Sequence, residues 1–182
     1  MTNFFFEPSE IPDVVRIRTR RFQDPRGFFS ERFRRSAYRE AGVPDSFAQD
    51  NWARSEEGVL RGLHYQLAPR AQGKLVGVIQ GRIWDVAVDI RVGSPTFGRW
   101  VGAELDEESG DLLWIPPGFA HGYQVLSTRA DVVYKVTHEY DPDLDRGIRW
   151  DDPDLAIRWP HSDPVLSDRD RGLPSLGDAE FG

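Results

Sequence analysis

The sequence predicts an all-β fold, an antiparallel sandwich or small barrel, with helix confined to short pieces in the N-terminal region and the tail. Three observations carry this expectation. Strand-like apolar runs succeed one another from Gly58 to Trp150. Turn signals (IQGR, VGSPTFG, DEESGD, IPPGFAHG and YDPDLDRG) interrupt those runs at short intervals. Helical patterning is nearly absent, and short strands joined by Gly/Pro turns pair antiparallel.

In chain order, the first part, to about Asn51, mixes short strand-like pieces with one helix. RRSAYREAG, Arg34 to Gly42, has helix formers and a glycine stop. GVLRGLHYQ, Gly58 to Gln66, reads as strand and carries Arg61 and His64 on opposite parities. AQGKLVGVI starts a strand at Lys74, just after a glycine. RIWDVAVDIR, Arg82 to Arg91, splits into Trp84, Val86, Val88 and Ile90 on one face and Ile83, Asp85, Ala87, Asp89 and Arg91 on the other. Both sets are partly apolar, as in a barrel wall that also carries polar groups. In DVVYKVTHEY, strand parity places Tyr134 and Tyr140 on one side. The tail after Trp159 is polar and proline-punctuated, an arm expected to pack on the barrel and to fray after Leu176. The chain therefore reads as one domain over 1–182, with an N-terminal arm of about 1–50, a barrel core of about 51–160 and a C-terminal arm of about 161–182.

Composition narrows the function classes. The chain of 182 residues is long enough to bury a core, and 39% hydrophobic residues oppose disorder. A net charge of -7 opposes nonspecific nucleic-acid binding, although local arginines (RIRTRRF, ERFRR) can converge on a small anion. No run is long and apolar enough to span a membrane, and MTNFFFEPSEIPD lacks the basic start and cleavage pattern of a signal peptide. With no cysteine, disulfides, zinc-thiolate sites and cysteine nucleophiles are excluded. A cytoplasmic protein is the expectation.

Taken singly, the chemical candidates have bland readings. His64 suits a hydrogen-bonded histidine at a sheet surface, and His121 a solvated turn histidine. Lys74 suits a solubilising edge lysine at a strand start or, if it points into a barrel mouth, a cation suited to an oxyanion. Tyr134 and Tyr140 suit packing or proton donation, and Asp170 a solvated tail carboxylate. A metal site is disfavoured: the second residue after His64 is Gln66, and the next glutamate after it is Glu104. Jointly, these residues supply a base, a carboxylate to orient it, a cation and a phenol acid. That set suits proton abstraction beside a carbonyl, followed by return of a proton.

The stretches DPRGFFSE, FAQDNWARS, GVLRGLHYQ, AQGKLVGVIQG, WDVAVDIRVGSPTFGRWVG, LWIPPGFAHGY, YKVTHEY, RGIRWDDPDLAIRWP and LSDRD resemble, in order, the dTDP-4-dehydrorhamnose 3,5-epimerase family. The resemblance implies a cupin-like jelly roll that uses no cofactor or metal. It implies inversion of carbons 3 and 5 of dTDP-4-keto-6-deoxy-glucose. The relatives that invert only one of these carbons carry nearly the same residues, so a single-centre epimerase is the alternative; a nucleotide-sugar-binding jelly roll without catalysis is another. By resemblance, His64 is the base paired with Asp170, Lys74 stabilises the enolate with His121 nearby, Tyr134 is the acid and Tyr140 stacks on thymine. Gln49, Asp50, Asn51, Arg61 and Arg169 would hold the nucleotide and diphosphate. Arg26 and Glu31 would complete the site in a homodimer with exchanged N-terminal arms. Three positions depart from the family pattern: Glu139 replaces a common tyrosine, Asp145 a common substrate-contacting glutamate and Arg169 a usual lysine.

Overall fold

Strand-forming alternation with apolar residues on both parities calls for a sheet covered on two faces, and that is what the chain builds. The computed structural model describes residues 3–181. The elements run β1 (Phe4–Pro8), β2 (Val15–Thr19), β3 (Arg21–Asp24), β4 (Gly27–Ser30), α1 (Arg35–Glu40), β5 (Gln49–Glu56), β6 (Leu60–Gln66) and β7 (Lys74–Gln80). They continue through β8 (Arg82–Asp89), β9 (Trp100–Asp106), β10 (Leu112–Ile115), β11 (Phe119–Val125), β12 (Arg129–Val136), β13 (Asp145–Gly147) and α2 (Asp168–Arg171) to a single 3-10 turn, Leu176–Asp178. The α1 helix stops as its sequence predicts, with Gly42 in the left-handed region.

Six strands form one sheet in the order β1-β2-β10-β7-β12-β5, five form the opposing sheet in the order β13-β6-β11-β8-β9, and β3 and β4 form a separate hairpin. Every strand pairing is antiparallel. The non-sequential order and two facing sheets are those of a jelly roll. Among the described residues no helix is long and apolar enough to cross a membrane.

The parity split in β8 has a direct structural meaning. Ile83 and Ala87 join Val76, Val78, Leu113, Phe119, Val125 and Val132 in the core between the sheets. Val86 and Val88, on the other parity, pack with Leu63, Tyr65, Ile148 and Leu155 on the outside of the five-stranded sheet. Trp100, Trp159, Leu176 and Phe181 complete that layer. A third cluster, built on Phe4, Ile17, Tyr38, Leu75 and Trp114, seals part of the outer face of the six-stranded sheet beneath α1. Each sheet thus buries apolar surface on both sides, which explains why neither parity of β8 is fully polar.

The tail departs from the expected fraying. Past Leu176, the carbonyl of Glu180 accepts from the Tyr65 hydroxyl at 2.7 Å, and the Phe181 ring stacks on that of Tyr65. Asp152, fully buried, accepts from the backbone N–H of Leu176 at 2.7 Å and from those of Asp154 and Leu155. The outward Trp84–Val86–Val88 face of the five-stranded sheet is apolar, and the tail contributes to its cover. Polar composition concealed this because only Leu176, Ala179 and Phe181 make the contact.

Candidate active site

The strand parities converge at one end of the barrel interior, where the apolar core gives way to polar side chains. Lys74 shares its inward parity with Val76 and Val78 on β7, and Tyr134 shares its own with Val132 on β12. Asn51 on β5 lies opposite Tyr134, and Gln49 opposite Val136. On the facing sheet, His64 of β6 lies between His121 of β11 and Gly147 of β13. Gln49, Asn51, His64, Gln72, Lys74, Tyr134, Tyr140, Asp145 and Arg169 together line a cavity of about 240 Å³. An apolar cleft of similar size, about 250 Å³, opens on the outer face beside Leu75, Ile79 and Val133, away from the histidines.

His64 and Arg61 lie on opposite parities in sequence, so one shared pocket requires a bulge. The register supplies it: His121 faces His64 and Tyr123 faces Arg61, so three steps along β6 match two along β11. Gly62 sits in the bulge with φ of 131°. A Cβ there would lie 2.5 Å from Gly122 Cα, so the close approach of the two strands depends on glycine. Arg61 Nε then donates to Ser55 Oγ at 3.0 Å, and its guanidinium charge acts on Tyr134.

His64 Nε2 lies 2.6 Å from Asp170 Oδ1. Because a carboxylate only accepts, Nε2 carries the proton and Nδ1 is left as the basic nitrogen. Asp170 is buried, and burial pushes its pKa up; the hydrogen bond and charge of His64, with Ser167 and Arg169, outweigh this and hold it below the usual carboxylate range. Its position comes from α2, whose N-cap Ser167 accepts from Asp170 N–H at 3.1 Å.

Lys74 is buried and donates to the His64 carbonyl at 3.1 Å. Desolvation lowers its pKa to about 8 against the opposing charges of Asp145 and Asp85. It therefore remains mostly cationic near neutrality. Burial raises the pKa of Tyr134, against the pull of Arg61, so its phenol keeps its proton.

His121, buried, pairs through Nε2 with Asp85 Oδ1 at 2.7 Å, and burial lowers its pKa against that carboxylate. At the outer rim, Asp145 accepts from the Tyr140 hydroxyl at 3.0 Å and from Arg169 at 2.6 Å. The shortened carboxylate at 145 thus has two partners. Strand parity does not carry Tyr140 to the cavity, since β12 ends at Val136. Its loop is tied instead by side-chain amides: Gln49 accepts from Tyr140 N–H at 2.8 Å, and Gln66 accepts from Asp141 N–H and donates to the Glu139 carbonyl.

Three of the candidate residues stand apart in this chain. Asp50 points to the outer face, where Lys135 donates to it at 2.8 Å, because strand alternation separates it from Gln49 and Asn51. Arg26 pairs with its neighbour Asp24 at the hairpin tip and is 89% exposed. Glu31 accepts from Arg34 and from Asn3. Conversely, Asp85, Gln66 and Gln72 belong to the site or its supports although none of them is among the sequence candidates. Only the parity of Asp85 with Ile83 and Ala87 signals its inward aspect. Among the described residues, no group of three or more His, Cys, Asp or Glu side chains is arranged to hold a metal ion.

The family model described as dTDP-4-dehydrorhamnose 3,5-epimerase matches residues 8–178. A dTDP-4-dehydrorhamnose 3,5-epimerase of Shigella flexneri is 51% identical over 174 residues, 95% of this chain and 96% of the relative. One from Pseudomonas aeruginosa is 52% identical over 172 residues, 93% of this chain and 94% of the relative. A crystal structure of the Legionella pneumophila dTDP-6-deoxy-D-glucose-3,5-epimerase in complex with dTDP-4-keto-L-rhamnose superposes with a TM-score of 0.93 at 47% identity, covering 96% and 94% of the two chains.

Proposed function

This chain belongs to the dTDP-4-dehydrorhamnose 3,5-epimerase family, and we propose from that premise how its own residues carry the reaction. It is an isomerase that converts dTDP-4-keto-6-deoxy-glucose to dTDP-4-keto-rhamnose by inverting carbons 3 and 5. His64, oriented and electrostatically supported by Asp170, takes the proton from the carbon beside the ketone. The electron pair of the broken C–H bond moves onto the carbonyl oxygen as an enolate. A ketone α-proton is far less acidic than imidazolium, and each pK unit of mismatch adds about 1.4 kcal/mol. Lys74 offsets that cost by placing its charge where the oxyanion develops. Tyr134 returns a proton to the opposite face of the same carbon, and inversion results.

The observation that carries this reading is the presence of His64, Lys74 and Tyr134 in one cavity, with a 2.6 Å hydrogen bond from His64 to a buried carboxylate. A binding module has no use for an acid and a base aimed at the same space. Tyr140, exposed at the rim, offers a ring for the thymine, while Arg61, Arg169, Gln49 and Asn51 hold the nucleotide and its diphosphate. His121 borders the sugar.

We further propose a cytoplasmic homodimer of single-domain subunits that exchange N-terminal arms. The β3–β4 hairpin supports this, since it presents Phe28 and Phe29 at 56% and 66% exposure and holds Arg26 clear of its own cavity. Arg26 and Glu31 then complete the partner's site. Light scattering tests this part: a fully active monomer overturns it. Cell fractionation tests the location.

The deciding experiment for the chemistry is NMR of dTDP-4-keto-6-deoxy-glucose with the protein in deuterated water, without added metal. Deuterium at both carbons 3 and 5 is expected. Label at one carbon indicates a single-centre epimerase. No exchange while dTDP still binds overturns the catalytic reading. Elemental analysis adds an independent check, since stoichiometric transition metal overturns a cofactor-free mechanism.

A further inference from the structure

Asp85 is a fully buried carboxylate that the proton-transfer steps above do not use. It projects from β8 into the barrel on the parity of Ile83 and Ala87. One oxygen, Oδ1, engages His121 Nε2 at 2.7 Å; the other, Oδ2, is buried and has no hydrogen-bond partner among the described residues. A carboxylate oxygen left without a partner in the interior is costly, and such groups persist where their charge is needed. Across the barrel, Lys74 projects inward from β7, also buried, with one hydrogen bond among the described residues, to the His64 carbonyl, for its three donors. An ammonium in that setting tends to lose its proton.

We propose that Asp85 is a positioning residue for the epimerisation, the internal counter-ion that keeps Lys74 charged while also fixing His121 in one orientation. Asp85 touches neither the sugar nor the transferred proton. It acts through Lys74, which would be neutral, and useless to an enolate, for a larger fraction of the time without it. This inference rests on the reading of Lys74 as the enolate's electrostatic partner.

Other charged and titratable groups also face Lys74. Asp145 from β13 supports its charge, and Arg169 from α2 opposes it. His64 from β6 and Tyr134 from β12 line the same cavity, and His121 from β11 lies beside Asp85. Asp145 is itself engaged by Arg169 at 2.6 Å and by the Tyr140 hydroxyl. Substrate phosphates drawn to Arg169 alter that arrangement. Asp85 is fully buried and takes no part in the rim contacts of Asp145, Arg169 and Tyr140. This separates its role from that of Asp145.

The test is the pH profile of turnover for Asp85→Asn, which keeps the shape of the side chain and removes its charge. Deuterium incorporation and product formation are followed from about pH 6 to 10, a range that brackets the ordinary histidine and lysine pKa values. The alkaline limb, set in the wild type by Lys74, is expected to move down by about one pH unit. Turnover should fall about twofold near pH 7 and about tenfold by pH 9, recovering at lower pH, while dTDP affinity measured by calorimetry stays within about twofold. Asp85→Glu keeps the charge and should keep the limb; Asp85→Ser serves the comparison if the amide prevents folding. In a Lys74→Arg background, whose guanidinium does not titrate in this range, removing Asp85 should leave the limb where it was. A uniform loss at every pH, with the limb unmoved, makes Asp85 merely structural and overturns the proposal. Wild-type protein that exchanges no deuterium defeats the epimerase reading instead, and the two failures are distinguishable.

Discussion

Replacing Lys74 with methionine should make the protein more stable at neutral pH while removing its catalytic power. In the folded chain the ammonium is buried and its pKa is about 8, against an ordinary 10.5. The gap corresponds to about 3 kcal/mol of folding free energy. Below pH 8 both folded and unfolded chains hold the proton, and the folded state bears the full cost. Between 8 and 10.5 the folded chain releases the proton while the unfolded chain keeps it, so wild-type stability from this group rises with pH. Methionine fills a similar volume without charge but leaves the His64 carbonyl without its 3.1 Å donor, a loss of about 1 kcal/mol. The net gain at pH 7 is therefore about 2 kcal/mol, or a rise in Tm of about 4–8 °C for a chain of this length. Urea melts at pH 7 and pH 10 measure it, and the advantage should nearly vanish at the higher pH. Turnover should drop by about 10²–10³. A variant less stable than wild type at pH 7, or an advantage equal at both pH values, refutes the account of Lys74 as a charge held at a cost.

Asp170→Asn removes the charge beside His64 and lets an amide N–H compete with Nε2–H, so turnover should fall about 10²–10⁴-fold with dTDP affinity nearly unchanged; deuterium-exchange rates and calorimetry separate the two. Folding should also weaken on acidification, because the lowered pKa of Asp170 makes its contribution full above the ordinary carboxylate range and lost as pH falls through the folded value. Gly62→Ala places a methyl 2.5 Å from Gly122 Cα at φ of 131°, and a loss of about 2 kcal/mol or more in chemical denaturation should accompany misplacement of His64. Asp152→Ala deletes an acceptor shared by three backbone N–H groups and should cost about 2–4 kcal/mol, with proteolysis of the segment after Trp159 as the structural readout.

The parts of this molecule that follow local rules were legible in its sequence. The partly apolar parities of RIWDVAVDIR announced a strand of a sandwich or barrel, and a glycine stop closed α1 where expected. The site was legible where inward parity and residue type coincided, at His64, Lys74 and Tyr134. What escaped depended on register and on loops. Asp50 followed its neighbours in sequence, but alternation turned it to the outer face. Tyr140 reaches the rim by amide contacts from Gln49 and Gln66, and strand parity plays no part beyond Val136. Asp85 was visible only as a polar member of an apolar set, and its pairing with His121 depends on β11 lying beside β8. The tail looked like a fraying arm because three apolar contacts are too few to register as a pattern.

Asp170 emerges from the ribosome only after every strand of the barrel, yet His64, which it completes, is made more than a hundred residues earlier. All the strands that shape the cavity are thus synthesised before His64 can meet its carboxylate. The finished tail then locks against Val59, Asp152 and Tyr65, carrying the missing carboxylate with it. A deletion that removes Asp170 should abolish turnover and, because it also strips Leu176, Ala179 and Phe181 from the outer face of the five-stranded sheet, should lower stability with it.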